Sequence, residues 1–291
     1  LVLGVAPVLA QTPAPAPPPA PYSAPWLLRP FAIASSVRLD ETLAFYEDPG
    51  TGSSGTTAVT NLFATRKLNP RWAAMIRQAF VHNSAAVGPS GSAFSNFLIG
   101  VNYVRPLSGP WRLNAFTATT IPIGTGGGDN PDPGDAAAIS SAVPARSGMD
   151  NTLLAVNYWG AFAGGGVARV TPALTAQFEL TVMQTVRVKG PETQDGGRTN
   201  LVGGLHLGHF FSPRVSLGGE LRFQRWLSDA APARQNPDAR AQLTFGIGPR
   251  LHFKVGDQRW LRPGLSYTRA LDKPMTNSGY DIVQLDVPYS F

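Results

Sequence analysis

From about Val37 to the last residue, apolar and polar positions alternate in runs longer than the strands of an ordinary globular sheet. Segment 174–189 sets Leu174, Ala176, Phe178, Leu180, Val182, Val186 and Val188 against Thr175, Gln177, Glu179, Thr181, Thr185, Arg187 and Lys189. Segment 241–255 sets Leu243, Phe245, Ile247, Leu251, Phe253 and Val255 against Gln242, Thr244, Arg250, His252 and Lys254, and 111–123 sets Trp111, Leu113, Ala115, Ile121 and Ile123 against Arg112, Asn114 and Thr120. The final run places Val283, Leu285, Val287, Tyr289 and Phe291 opposite Gln284, Asp286 and Ser290. Period-two alternation predicts strands with one apolar and one wet face. Runs of about 11 residues exceed the roughly 5–6 of a typical strand and suit a tilted crossing of a hydrocarbon layer.

About twelve such segments can be marked, and their connections alternate between short and long. The short set is 68–71, 106–110, 171–173, 211–214 and 256–258. The long set, rich in Gly, Pro, Asp and Ser, is about 47–56, 84–93, 124–152, 190–198, 229–239 and 273–279. A soluble antiparallel sheet has no reason to gather its long loops at one end, whereas outer-membrane barrels do. Both chain ends are then expected at the short-turn end, with Trp26 and Phe291 there. Two segments are ambiguous: 57–68 fits either phase, and in 37–46 the phase that turns Val37, Leu39, Leu43 and Phe45 outward also turns Glu41 outward, unless a bulge intervenes.

Composition agrees with a partner other than water. Charged residues make up 14% of the 291, while hydrophobics stand at 43%, against about 25% charged in soluble domains. The net charge of +6 comes from basic residues spread singly among the strands, so nucleic acid is not an expected partner. There is no cysteine, hence no disulfide framework or thiolate metal site. No apolar run past the N-terminus reaches the roughly 18 residues of a spanning helix, so a membrane crossing must use a closed barrel. Residues 1–10 read as a signal-peptide remnant, with Val8 and Ala10 in the small-residue cleavage pattern. Residues 11–25 read as a Pro/Ala-rich linker, 26–36 as a periplasmic or plug segment, and 37–291 as the barrel.

The wet faces carry the candidate chemistry. Arg38, Arg77, Arg112, Arg187, Lys189, Arg222, Arg250, Lys254 and Arg262 are expected inward, against Asp40, Glu179, Glu220 and Asp286. That basic excess predicts either a pore favouring anions, with Arg112, Arg222, Arg250 and Arg262 as its determining set, or a lattice of ion pairs that plugs a narrow barrel. His206 and His252 are expected in the lumen as hydrogen-bonding residues, without a signature for catalysis. The stretch Gly124–Asp135 has oxygen ligands at calcium-loop spacing, but counted from Asp129 the twelfth position is Ser140 rather than Glu, so a flexible loop is expected. Asp135 is placed to cap a short helix through 136–142. No cofactor or metal is expected.

The strand that closes on Phe291 resembles the assembly signal of bacterial outer-membrane β-barrels. With Leu98-Ile-Gly-Val-Asn-Tyr103 and Thr119-Thr-Ile-Pro-Ile-Gly-Thr125 before the long loop, residues 37–291 resemble the transporter-like barrels grouped with the meta-pathway phenol-degradation proteins. The resemblance implies an all-β, antiparallel up-and-down transmembrane barrel of about 12 strands in the outer membrane. It implies passive uptake of small, anionic or aromatic, solutes, and as partners the outer-membrane lipids, lipopolysaccharide and the barrel assembly machinery, engaged through the strand ending in Phe291. The rival readings are a lipid-modifying barrel enzyme, which needs a His beside Ser or an acid near one membrane interface, and a closed structural barrel with a filled lumen.

Overall fold

The computed structural model describes residues 22–257 and 259–291; the signal-remnant segment and most of the Pro/Ala linker lie outside them. Fifteen strand segments form one antiparallel sheet: β1 (36–47), β2 (54–67), β3 (72–84), β4 (91–94), β5 (97–106), β6 (111–121), β7 (158–170), β8 (174–187), β9 (197–212), β10 (215–226), β11 (241–251), β12 (253–254), β13 (260–261), β14 (264–270) and β15 (281–290). β4 with β5, β11 with β12, and β13 with β14 are interrupted single crossings, so the wall has twelve strands. β1 pairs with β15 over ten residues, from Ser36 opposite Ser290 to Phe45 opposite Asp281, and the sheet closes without a free edge. Closure satisfies the backbone of every crossing inside hydrocarbon.

Side-chain phase follows the sequence pattern. Leu180, Phe245, Leu251 and Leu285 are exposed on the outside, Val283 shares their face, and Thr181, Thr244 and Gln284 are buried inside. Segment 57–68 resolves with Thr57, Val59 and Asn61 inward. Glu41 does point outward. The β1 register is continuous around it, so no bulge rescues it; Thr60 on β2 donates to its carboxylate at 2.5 Å instead.

The short turns and both wall termini gather at one end and the long loops at the other. Two inserts depart from a simple tube. Trp26 is not at the rim: residues 22–35 run inside the lumen, where Trp26, Leu28 and Phe31 are fully buried. The β6–β7 connection also folds inward. Its helix α1 (133–145) is longer than expected and is capped by Asp132, not Asp135, through the backbone N–H groups of Gly134 and Asp135. With the short helix α2 (151–154) it packs Ala138, Ile139, Ala142, Met149 and Leu153 against Ala44, Val59, Met75 and Val81 of the wall. The loop is therefore a packed insert, not the flexible loop expected. Ser95 and Asn96, the irregularity between β4 and β5, receive it: the Asn96 N–H donates to Leu153 O at 3.0 Å.

The depth of the lipid face is testable with one substitution at two levels. Leu180→Arg, mid-strand, should cost about 2–4 kcal/mol of barrel stability, and Val186→Arg, at the strand end, about 0–1 kcal/mol. Equilibrium unfolding in lipid vesicles measures both; equal costs would place the apolar band elsewhere.

Candidate functional site

The lumen is organised by two wall carboxylates that bind backbone. Glu220 on β10 accepts the N–H groups of Trp26 (2.7 Å) and Leu27 (2.9 Å), and Glu179 on β8 accepts the N–H of Arg29 at 2.9 Å. Each also holds a guanidinium: Arg222 Nε lies 2.6 Å from Glu220, and the Arg29 guanidinium 2.7 Å from Glu179. The Arg29 guanidinium further stacks over Phe116 and Phe162, at 4.0 and 4.6 Å from the ring centres. Gln177 donates to Arg29 O at 2.8 Å, and Tyr22 donates to Gln177 while accepting from the Phe31 N–H. An extended segment has no internal hydrogen bonds, so a polar wall must supply its partners. Glycines make the room. A Cβ at Gly208 would lie 2.3 Å from the Ser23 side chain, and one at Gly264 would lie 2.6 Å from the Trp26 ring.

The folded loop is anchored on the opposite wall. Arg146 donates to Asp40 (3.0 Å) and to Asp150 (2.9 Å), and Arg77 on β3 also pairs with Asp150. Burial opposes ionisation of Asp150, but the Arg77 and Arg146 guanidinium groups outweigh it and hold the carboxyl well below the usual range. Asp40 is where the inserts meet. Gln284 donates to Asp40 at 3.0 Å and to Trp26 O at 3.4 Å, and Arg38 bonds both the same Trp26 carbonyl and Asp40. At the loop apex, a Cβ on Gly148 would lie 2.6 Å from Gln224 on β10, so the loop reaches across the barrel.

Four of the nine basic residues expected inward pair with carboxylates, Arg77 among them with Asp150 of the loop; the other five have no carboxylate partner among the described residues. Arg222 pairs with Glu220, Arg250 with Asp286 at 2.5 Å, and Arg38 with Asp286 at 2.7 Å. Arg187 and Lys189 bond carbonyls at the long-loop end, and Lys254 is exposed near the short-turn rim. Arg112 and Arg262 lie at the short-turn end. Neither has a carboxylate partner among the described residues; Arg112 donates to Phe31 O at 3.2 Å and Arg262 to the Ser290 hydroxyl at 3.3 Å. Both line a vestibule of about 1,050 Å³ at the short-turn end. A second vestibule, of about 800 Å³, opens at the long-loop end, and a cavity of about 140 Å³ lies between the N-terminal segment and the β1–β5 wall.

The histidines fall into the lumen. His206 Nε2 lies 3.0 Å from Ser23 O, with Nδ1 3.8 Å from Glu220, and His252 Nε2 lies 2.9 Å from the Ser216 hydroxyl. Ser216 and His252 have the spacing of a nucleophile pair. Ser216 is fully buried with its hydroxyl 3.3 Å from that of Ser23, and no carboxylate orients His252 among the described residues. Sequence reasoning missed Arg29 and Arg146, which lie outside the wall strands and have no periodicity to mark them. The inward glycines Gly208 and Gly264 were the available signal for a filled lumen.

No family model and no curated protein sequence matches the chain. Solved structures do. An outer membrane channel from Pseudomonas putida F1 is similar over 92% of this chain and 98% of its own, at 12% identity and a TM-score of 0.53. NanC porin covers 87% and 98% at 9% identity and 0.51, and the translocator domain of the autotransporter NalP from Neisseria meningitidis covers 91% and 90% at 12% identity and 0.51. Such likeness is a likeness of fold, and it spans porins and a translocator alike. The chain has the fold of a bacterial outer-membrane β-barrel of twelve strands.

Proposed function

We propose that the protein is an outer-membrane channel for passive passage of small solutes, with a preference for anions set at its periplasmic mouth. One observation carries the reading. The two vestibules face opposite ends, and what lies between them is built from segments 22–35 and 122–157, which are not part of the wall. The wall strands at that level balance, with Arg38, Arg77, Arg222 and Arg250 against Asp40, Glu179, Glu220 and Asp286. Of the bases without a carboxylate partner among the described residues, Arg112 and Arg262 line the short-turn vestibule, and we assign the preference to them because their charges act in a confined, weakly screened mouth. Aromatic solutes fit the apolar lining of that mouth, which includes Trp111, Trp260 and Phe210. The Ser216–His252 contact is read as a hydrogen bond of the wall, and the protein as a non-enzyme.

Planar-bilayer recording under a salt gradient tests the reading. The reversal potential should show anion preference, and Arg112→Gln with Arg262→Gln should move it toward zero; a cation preference in the unaltered protein would overturn the assignment. Deleting residues 22–35 should raise conductance severalfold, and Gly264→Val, which displaces the Trp26 ring, should act in the same direction. No conductance in either variant favours a closed structural barrel.

Acid sensitivity has a definite sign. A carboxyl held low in the folded state contributes stability that is complete above its ordinary pKa, near 3.9, and is lost as pH falls through the lowered value. The Asp150 anchor should thus stay intact from pH 8 to 5, with conductance unchanged across that window. Asp150→Asn should open the loop at neutral pH, because it leaves the buried Arg146 and Arg77 short of a counter-charge, a loss of about 3–5 kcal/mol.

A further inference from the structure

We propose that the vestibule at the long-loop end is a binding site for a neutral, hydroxyl-rich solute with one apolar face, a compound of carbohydrate chemistry. In the throat, nearly every charge has a partner of opposite sign. The 800 Å³ vestibule has a different lining: its one charged residue among those described is Arg198, already committed to Asp195 at 2.8 Å and lying over the Tyr158 ring at 4.7 Å. A charged ligand would find no free counter-charge there, and desolvating it would go uncompensated.

Neutral polar groups, by contrast, are left unpaired. Asn151, Asn200 and Tyr158 line the vestibule and are 7%, 2% and 3% exposed. Both amide atoms of each asparagine and the phenol oxygen have no hydrogen-bond partner among the described residues. A buried polar group left so costs about 1–3 kcal/mol, which a ligand offering both donors and acceptors would recover. A carboxamide donates and accepts at once, as a sugar hydroxyl does. Trp226, Met183 and Leu154 supply the apolar side of the same space, where the CH face of a pyranose or an attached ring can lie. That this binding precedes passage through the throat rests on the channel reading; the binding itself does not.

Calorimetry on the full chain in lipid nanodiscs tests the site with phenyl β-D-glucopyranoside and its glucuronide, which differ by a carboxylate. The glucoside should give saturable binding, and the glucuronide should bind at least tenfold more weakly. Asn151→Leu with Asn200→Leu should weaken glucoside binding at least tenfold while leaving the thermal unfolding midpoint unchanged or higher, since it removes orphaned polar atoms. If that variant does not fold, Tyr158→Phe, which deletes only the hydroxyl, serves with the same readout. Absence of saturable binding, equal affinity for the glucuronide, or undiminished binding in the variants overturns the proposal. Because heat of binding does not depend on conductance, a non-conducting barrel that binds the glucoside refutes the channel and keeps the site, and a conducting barrel that does not bind it does the reverse.

Discussion

The structure depends on finding partners for charge inside a space of intermediate width. Eight strands give a barrel that side chains fill, and sixteen or more leave an aqueous channel. Twelve lie between. At the level of the throat eight charged wall residues point into that interior, and in a low-dielectric space an uncompensated charge costs several kcal/mol. Pairs such as Arg250 with Asp286 and Arg222 with Glu220 settle part of the demand within the wall. The remainder is met by guanidinium and N–H groups that the wall does not contain: Arg29 and the Trp26 and Leu27 backbone from the N-terminal segment, and Arg146 from the folded loop.

This accounts for the convergence on Asp40. It receives Arg146 from the loop, Arg38 from its own strand, and Gln284, which also holds the Trp26 carbonyl. The two inserts enter from opposite ends and are tied to one another through a single wall carboxylate and its neighbours. Moving either insert leaves shared partners unsatisfied, so the geometry couples them. The hydrophobic cluster around Ala138, Ala142 and Leu153 adds a dry contact to the loop that charge alone would not provide.

Polarity along the lumen is graded by the same logic. Among the described residues, the throat is charged and paired, the short-turn vestibule is lined by Arg112 and Arg262 without carboxylate partners, and the long-loop vestibule has one charge, Arg198, already paired, and orphaned amides. The lining thus has a different chemistry at each level, and the middle one is closed by electrostatic compensation.

The alternation of short and long connections, with no apolar run past the N-terminus long enough for a spanning helix, pointed to a closed antiparallel wall with its long loops at one end. Period-two alternation determined the outward set that includes Leu180, Phe245 and Leu285, because a strand's two faces are fixed by local geometry and only one of them tolerates lipid. The same alternation placed Glu179, Glu220, Arg222, Arg250 and Asp286 inside. It carried no information about which inward charges meet, since partners such as Arg29 and Glu179 are separated by 150 residues and join only when the barrel closes. The sequence left 26–36 as either a periplasmic or a plug segment, and the choice between them, like the inward folding of α1, was a tertiary outcome. Residues 22–35 and the glycine-rich loop have no periodicity of their own, and their conformation is set by the carboxylates and the small inward glycines that the completed wall presents to them.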